Sequence, residues 1–144
     1  MFRKLDDRIL VSPQIDLDAV AEAARLGVGL IINNRPDGES PDQIEGAEIE
    51  AAARELGVDY IAIPVTHAGF SEWQVQAMAD ALKKAGDAPV LAFCRSGTRS
   101  TLLWALAQSA KGEHPAVLSE KAADAGYDLS GIASMMDMLR GRVS

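Results

Sequence analysis

Three short apolar runs, set between stretches of helical periodicity, constrain this chain more than any other feature. They are Val-Gly-Leu-Ile-Ile at 28–32, Val-Asp-Tyr-Ile-Ala-Ile-Pro-Val at 58–65 and Ala-Pro-Val-Leu-Ala-Phe at 88–93. The first is β-branched and too short for a helix, so it suits a strand buried on both faces. Pro64 stands at the end of the second, where a missing N–H donor is tolerated. The intervening segments carry helix punctuation. Asp16 is placed to cap a helix through Ala19, Val20, Ala23 and Leu26, which Gly27 stops. Ser40-Pro41-Asp42-Gln43 reads as a capping box opening a helix to about Leu56. Ser71-Glu72-Trp73-Gln74 reads the same way for a helix to about Ala85. A helix is expected from about Arg99 to near Gly112, and two more over 115–125 and 130–140. A further strand is expected around Arg8–Val11. Strands separated by helices of this length pair in parallel through right-handed crossovers. The expectation is a three-layer α/β domain with a central, mainly parallel sheet, forming one domain over residues 1–144.

The charge balance narrows the partners. A net charge of −7 disfavours nucleic acid and anionic membrane, whose surfaces select Lys and Arg. No run approaches the ~18 apolar residues of a membrane span. The opening MFRKLDDRIL lacks the apolar segment of a secretory signal, and the single cysteine forms no internal disulfide, so a cytoplasmic protein is expected. No HxH, HExxH or CxxC pairing occurs, so neither a metal nor a cofactor is expected.

That one cysteine is the chemical centre of the sequence. It lies in Cys94-Arg95-Ser96-Gly97-Thr98-Arg99-Ser100, directly after the third apolar run and before a helix. Ligands of open parallel sheets gather at the carboxyl ends of strands. The first-turn N–H groups of the following helix lack intrahelical partners, and its dipole favours an anion. Gly97 permits a backbone turn that lets successive N–H groups converge. A thiol there is driven toward thiolate by the helix terminus and nearby guanidiniums, and it is expected open to solvent. The bland alternative, a small core hydrophobe, leaves Arg95, Gly97, Arg99 and Ser100 unexplained. The expected roles follow: Cys94 as nucleophile, the N–H groups of Arg95, Ser96, Gly97, Thr98 and Arg99 around the anion, Arg99 orienting it, Arg95 adding charge, and Ser100 donating to the sulfur.

The same loop resembles the active-site loops of rhodanese sulfurtransferases and cysteine-dependent phosphatases. Four residues separate Cys94 from Arg99, where the phosphatase pattern has five, so the length is that of a rhodanese. From about Leu10 to Leu129 the chain also resembles the phosphatase-like domain of the beta-lactamase-hydrolase-like (Blh) proteins, through GVGLIINNRPDGES, VDYIAIPV and the strand before Cys94. That resemblance implies a dual-specificity-phosphatase-like fold. It also implies sulfur transfer, since some members are fused to a metallo-β-lactamase-like persulfide dioxygenase. Here the dioxygenase is expected as a separate partner, and the substrate as a small anionic sulfur donor or a phosphoester.

A phosphatase needs a general acid, most often an Asp on the loop after the preceding strand. PVTHAGFSEW contains none. His67, Glu72, and Asp37 with Arg35 in NNRPDGES are the alternatives, Glu72 reading first as helix-start stabilisation. Sulfur transfer needs no such acid, which favours it; a phosphatase and a non-catalytic anion or redox sensor stay open. Asn33 and Asn34 read as turn ties. Met135, Met136 and Met138 read as helix packing, with a homodimer contact as their other use.

Overall fold

The computed structural model describes residues 1–142, so the last two residues of the expected domain lie outside it. Five strands form one sheet: β1 (Arg3–Asp6), β2 (Ile9–Ser12), β3 (Leu30–Asn33), β4 (Asp59–Ala62) and β5 (Val90–Phe93), in the spatial order β1-β2-β5-β3-β4. β2, β5, β3 and β4 run parallel, and β1 pairs antiparallel with β2 through a tight hairpin. The side chain of Asp6 closes that hairpin, accepting the N–H groups of Arg8 and Ile9. β1 was not expected, because an edge strand with Leu5 as its one buried residue has no apolar run to betray it.

Six α-helices cover the sheet: α1 (Leu17–Arg25), α2 (Gly46–Glu55), α3 (Glu72–Ala85), α4 (Thr98–Ala110), α5 (Pro115–Asp124) and α6 (Ala133–Gly141). Successive strand residues point to opposite faces. Ile31, Leu91 and Phe93 therefore pack with Val20, Ala23, Ile49 and Ala53 of α1 and α2. Ile32, Val90 and Ala92 pack on the other face with Met78, Leu103, Trp104, Leu118 and Met136 of α3 to α6. Every residue of β3 and β5 is buried, as the apolar runs required. Met136 joins the core, whereas Met138 and Trp73 remain exposed.

Asp16 caps α1 as expected, its Oδ1 accepting the Ala19 N–H at 2.8 Å. Gln74 Oε1 likewise accepts the Ser71 N–H at the start of α3. The Ser40 box does not open a helix. α2 begins at Gly46, and residues 40–45 form a bend, a short turn at 41–42 and irregular chain. Ser40 Oγ donates to Asp42 and accepts from Arg35, while Gln43 bonds the Glu39 N–H and the Pro36 carbonyl. These contacts fold the segment into a loop, and Asp37 Oδ1 takes over the Gly46 N–H at 2.9 Å.

Candidate active site

The register fixes where the cysteine stands. Ser12, Asn33 and Phe93 are level on β2, β3 and β5, so Cys94 is the first residue beyond a shared strand end. Its N–H donates to the Ser12 carbonyl at 3.4 Å, and the Asn34 N–H donates to the Phe93 carbonyl at 2.8 Å. The chain turns through Gly97, at φ +91°, into the first residue of α4. A Cβ at Gly97 would collide with the Tyr127 hydroxyl, so glycine is required twice here, for its dihedral and for the space.

Gly97 donates its N–H to Cys94 Sγ at 3.1 Å. The loop thereby closes on its own sulfur, and Cys94 has 0% exposure. This corrects the expectation of an open thiol. The covering groups are polar all the same: the Gly97 N–H touches the sulfur, and the Arg99 guanidinium lies beside it.

Arg99 is held by three hydrogen bonds. Nη1 donates to Glu39 Oε2 and to the Val65 carbonyl, both at 2.7 Å, and Nη2 donates to Glu39 Oε1 at 2.8 Å. Of the five guanidinium hydrogens, these bonds use both on Nη1 and one on Nη2. The remaining edge, Nε–H and the second Nη2–H, is a two-donor fork, and Arg99 interacts with the Cys94 sulfur as well. Its protonated form is held above the ordinary arginine range, chiefly by the Glu39 hydrogen bond.

Glu39 is the residue the sequence reading overlooked. Its carboxylate bridges Arg99 and Arg35, the latter 5% exposed and donating through Nε at 3.0 Å. The hydrogen bond from Arg99, reinforced by Arg35 and opposed by partial burial, lowers its pKa from 4.5 to about 2. Nothing in NNRPDGES separates Glu39 from Asp37, because the distinction depends on a partner sixty residues away.

The other expected site residues divide clearly. Arg95 and Ser96 are exposed on the loop beside the sulfur. Arg95, with Arg35, Gln14, Ser40 and Asp42, lines a cavity of about 430 Å³ whose walls include neither Cys94 nor Arg99. Thr98 donates its N–H to Ser96 Oγ at 3.3 Å, so this amide does not turn inward as expected. Ser100 does not reach the sulfur either: its hydroxyl donates to Asn34 Oδ1 at 2.8 Å, and Asn34 in turn donates to the Ile63 carbonyl. That buried chain ties α4 to β3 and β4, a structural use of a residue expected to act on sulfur. Arg35 donates to Gln14, Ser40 and Glu39, so it braces the site from behind. Asp37 is fixed on Gly46 at the start of α2. Glu72 pairs with Arg142 at 2.8 Å on the surface. His67 is exposed on the loop two residues after Val65, whose carbonyl receives Arg99. Asn33 and Asn34 tie turn backbone, as expected. Among the described residues no helix is long and apolar enough to cross a membrane.

The arrangement offers a cysteine sulfur, an N–H donor on it, a fork of guanidinium donors and a helix N-terminus. Such a set holds a small anion against a sulfur nucleophile.

Comparison with known proteins identifies the family and the fold. A family model described as "Beta-lactamase hydrolase-like protein, phosphatase-like domain" matches residues 1–111. A beta-lactamase hydrolase-like protein of Xylella fastidiosa is 37% identical over 108 residues, which are 75% of this chain and 25% of that protein. The chain thus spans about a quarter of the length of the curated relatives it matches. A solved structure of a candidate phosphatase from Neisseria meningitidis is 33% identical with a TM-score of 0.81, covering 96% of this chain and 97% of that one. PTPMT1, at 13% identity and a TM-score of 0.77 over 99% of this chain and 98% of its own, shares the fold. The architecture is that of the cysteine phosphatases, and the chain belongs to the phosphatase-like domain family of the beta-lactamase hydrolase-like proteins.

Proposed function

We propose that this protein is a cysteine-dependent sulfurtransferase that carries sulfane sulfur on Cys94. The observation that carries the reading is the state of the carboxyls on the chain segments that flank the site. Glu39 is held as an anion with a pKa of about 2, Asp37 is committed to the Gly46 N–H, and Glu72 is paired with Arg142. A phosphoester's alkoxide or phenoxide needs a proton as it leaves, and none of these groups is poised to give one. Sulfite and thiolates leave as stable anions. The loop, one residue shorter than the phosphatase pattern, supports the same reading.

The thiolate attacks the outer sulfur of thiosulfate, the S–S bond breaks, and sulfite departs with that bond's electron pair. The charges balance: Cys–S⁻ and S₂O₃²⁻ give Cys–S–S⁻ and SO₃²⁻. The Arg99 fork and the positive end of the α4 dipole receive the sulfonate end. A thiolate acceptor then takes the outer sulfur and regenerates Cys94. The small persulfide so formed is the substrate class of a persulfide dioxygenase, the partner activity we propose beside this domain in the cytoplasm.

The second reading, a phosphatase acting through phosphocysteine, is favoured by the phosphatase-like family and by the Neisseria neighbour. It leaves exposed His67 as the acid. Intact-protein mass spectrometry after incubation with thiosulfate or an aryl phosphate separates the two. Sulfur transfer predicts a gain of one sulfur atom, absent in Cys94→Ser and unaffected by His67→Ala. A trapped phosphate with no sulfur gain, and a turnover that His67→Ala abolishes, overturns it.

A further inference from the structure

The site receives a side chain from a part of the chain that no motif marks. Tyr127 lies just after α5, beyond residue 111 where the family match ends. Its hydroxyl donates to the Ser96 carbonyl at 3.1 Å and sits where a Gly97 side chain would otherwise be. Ser96 and Gly97 share one peptide unit, so fixing the Ser96 carbonyl also fixes the Gly97 N–H. That N–H is the donor to Cys94 Sγ.

The tyrosine is itself held. The Arg3 guanidinium stacks over its ring at 5.4 Å and donates to the Ala125 carbonyl at 3.1 Å. Gly126 makes the approach feasible, since a Cβ there would come within 2.7 Å of Arg3 Nη1. Two glycines, 97 and 126, thus each leave room for one contact of the same clamp. Burial raises the Tyr127 pKa, opposed by the Arg3 charge and reinforced by the nearby Cys94 sulfur, so the hydroxyl stays a neutral donor through the physiological range.

We propose that Tyr127 is a positioning residue for the nucleophile: through the Ser96–Gly97 peptide it aims the N–H that holds charge on Cys94. The inference assumes that Cys94 is the reacting group, as the proposed function does, but it does not depend on which group is transferred.

Cys94 is the one cysteine of the chain, so alkylation by iodoacetamide followed by intact mass reads this thiol alone. The measurement needs neither a sulfur donor nor a phosphoester. In Tyr127→Phe, which keeps the ring and removes the hydroxyl, the pH midpoint of the alkylation rate moves up by about half a unit, as expected for weakening one hydrogen bond to sulfur. The donor half-reaction falls about tenfold in kcat with KM for thiosulfate nearly unchanged. Both are read well below the melting temperature of either protein. A midpoint that stays put or moves down overturns the proposal, whatever happens to kcat. A shifted midpoint in a protein that transfers no sulfur bears the proposal out while refuting the sulfurtransferase reading.

Discussion

Replacing Glu39 by Gln removes one charge from the centre of the site and leaves its shape almost intact. Two guanidiniums then face each other without their shared anion, Arg35 at 5% and Arg99 at 16% exposure. The size of the effect follows from the carboxyl itself. Its pKa falls from 4.5 to about 2. At 1.4 kcal/mol per unit that is ~3 kcal/mol, which solvent screening of a side chain still 19% exposed reduces to about 2 kcal/mol. For a chain of this length the melting temperature should fall by about 4–8 °C. The pH dependence has a definite sign. A carboxyl that binds its proton less readily when folded stabilises the fold fully above pH 4.5 and loses that contribution as pH falls toward 2. Urea denaturation of both proteins at neutral pH and through the acid range tests this. The stability difference is largest near neutrality and shrinks across that window, while other carboxyls cancel between the two proteins. A Glu39→Gln protein within about 0.5 kcal/mol of the parent at pH 7, or a difference that does not change with pH, refutes the bridging role. Activity gives a second readout, since an unlocked Arg99 fork lowers kcat/KM for the anionic donor by about tenfold.

Two further substitutions separate structural from chemical roles. Gly97→Ala places a Cβ against the Tyr127 hydroxyl at a positive φ, so it should cost about 1–3 kcal/mol in denaturation and abolish turnover. Asp37→Ala should cost about 1 kcal/mol through the lost bond to Gly46, yet leave the donor half-reaction and its pH profile unchanged. A flattened profile in that variant would reinstate Asp37 as a proton donor.

The parts of the molecule that were legible in the sequence are those decided within a few residues. Asp16 caps α1 and Gly97 turns β5 into α4 because both events are local. The buried strands β3 and β5, and the edge strand β4 within an apolar run, declared themselves by composition, whereas β1 (Arg-Lys-Leu-Asp) has no such run and went unseen. The failures share a cause too. Ser40 and Gln43 have the residue types of a capping box, but a loop that folds back on Arg35 and Pro36 uses the same donors and acceptors differently. Ser100 stands one residue from Arg99, yet its rotamer serves Asn34, sixty-six positions earlier in the chain. Glu39 and Tyr127 act on the cysteine loop across sequence separations of 60 and 31 residues, where spacing carries no information.

The cysteine hangs from β5, which has a neighbour on each side. Raising or lowering the sulfur would mean sliding that strand against two ladders at once, so its amides should be among the last to exchange with deuterium. Adaptation to a new reactant therefore has to come from the rim. The 66–70 segment can change length or composition while Arg35, Glu39 and the Val65 carbonyl keep Arg99 in place and the reacting atom keeps its height above the sheet, so an engineer altering selectivity should graft a loop there and leave residues 35–39 and 90–100 alone.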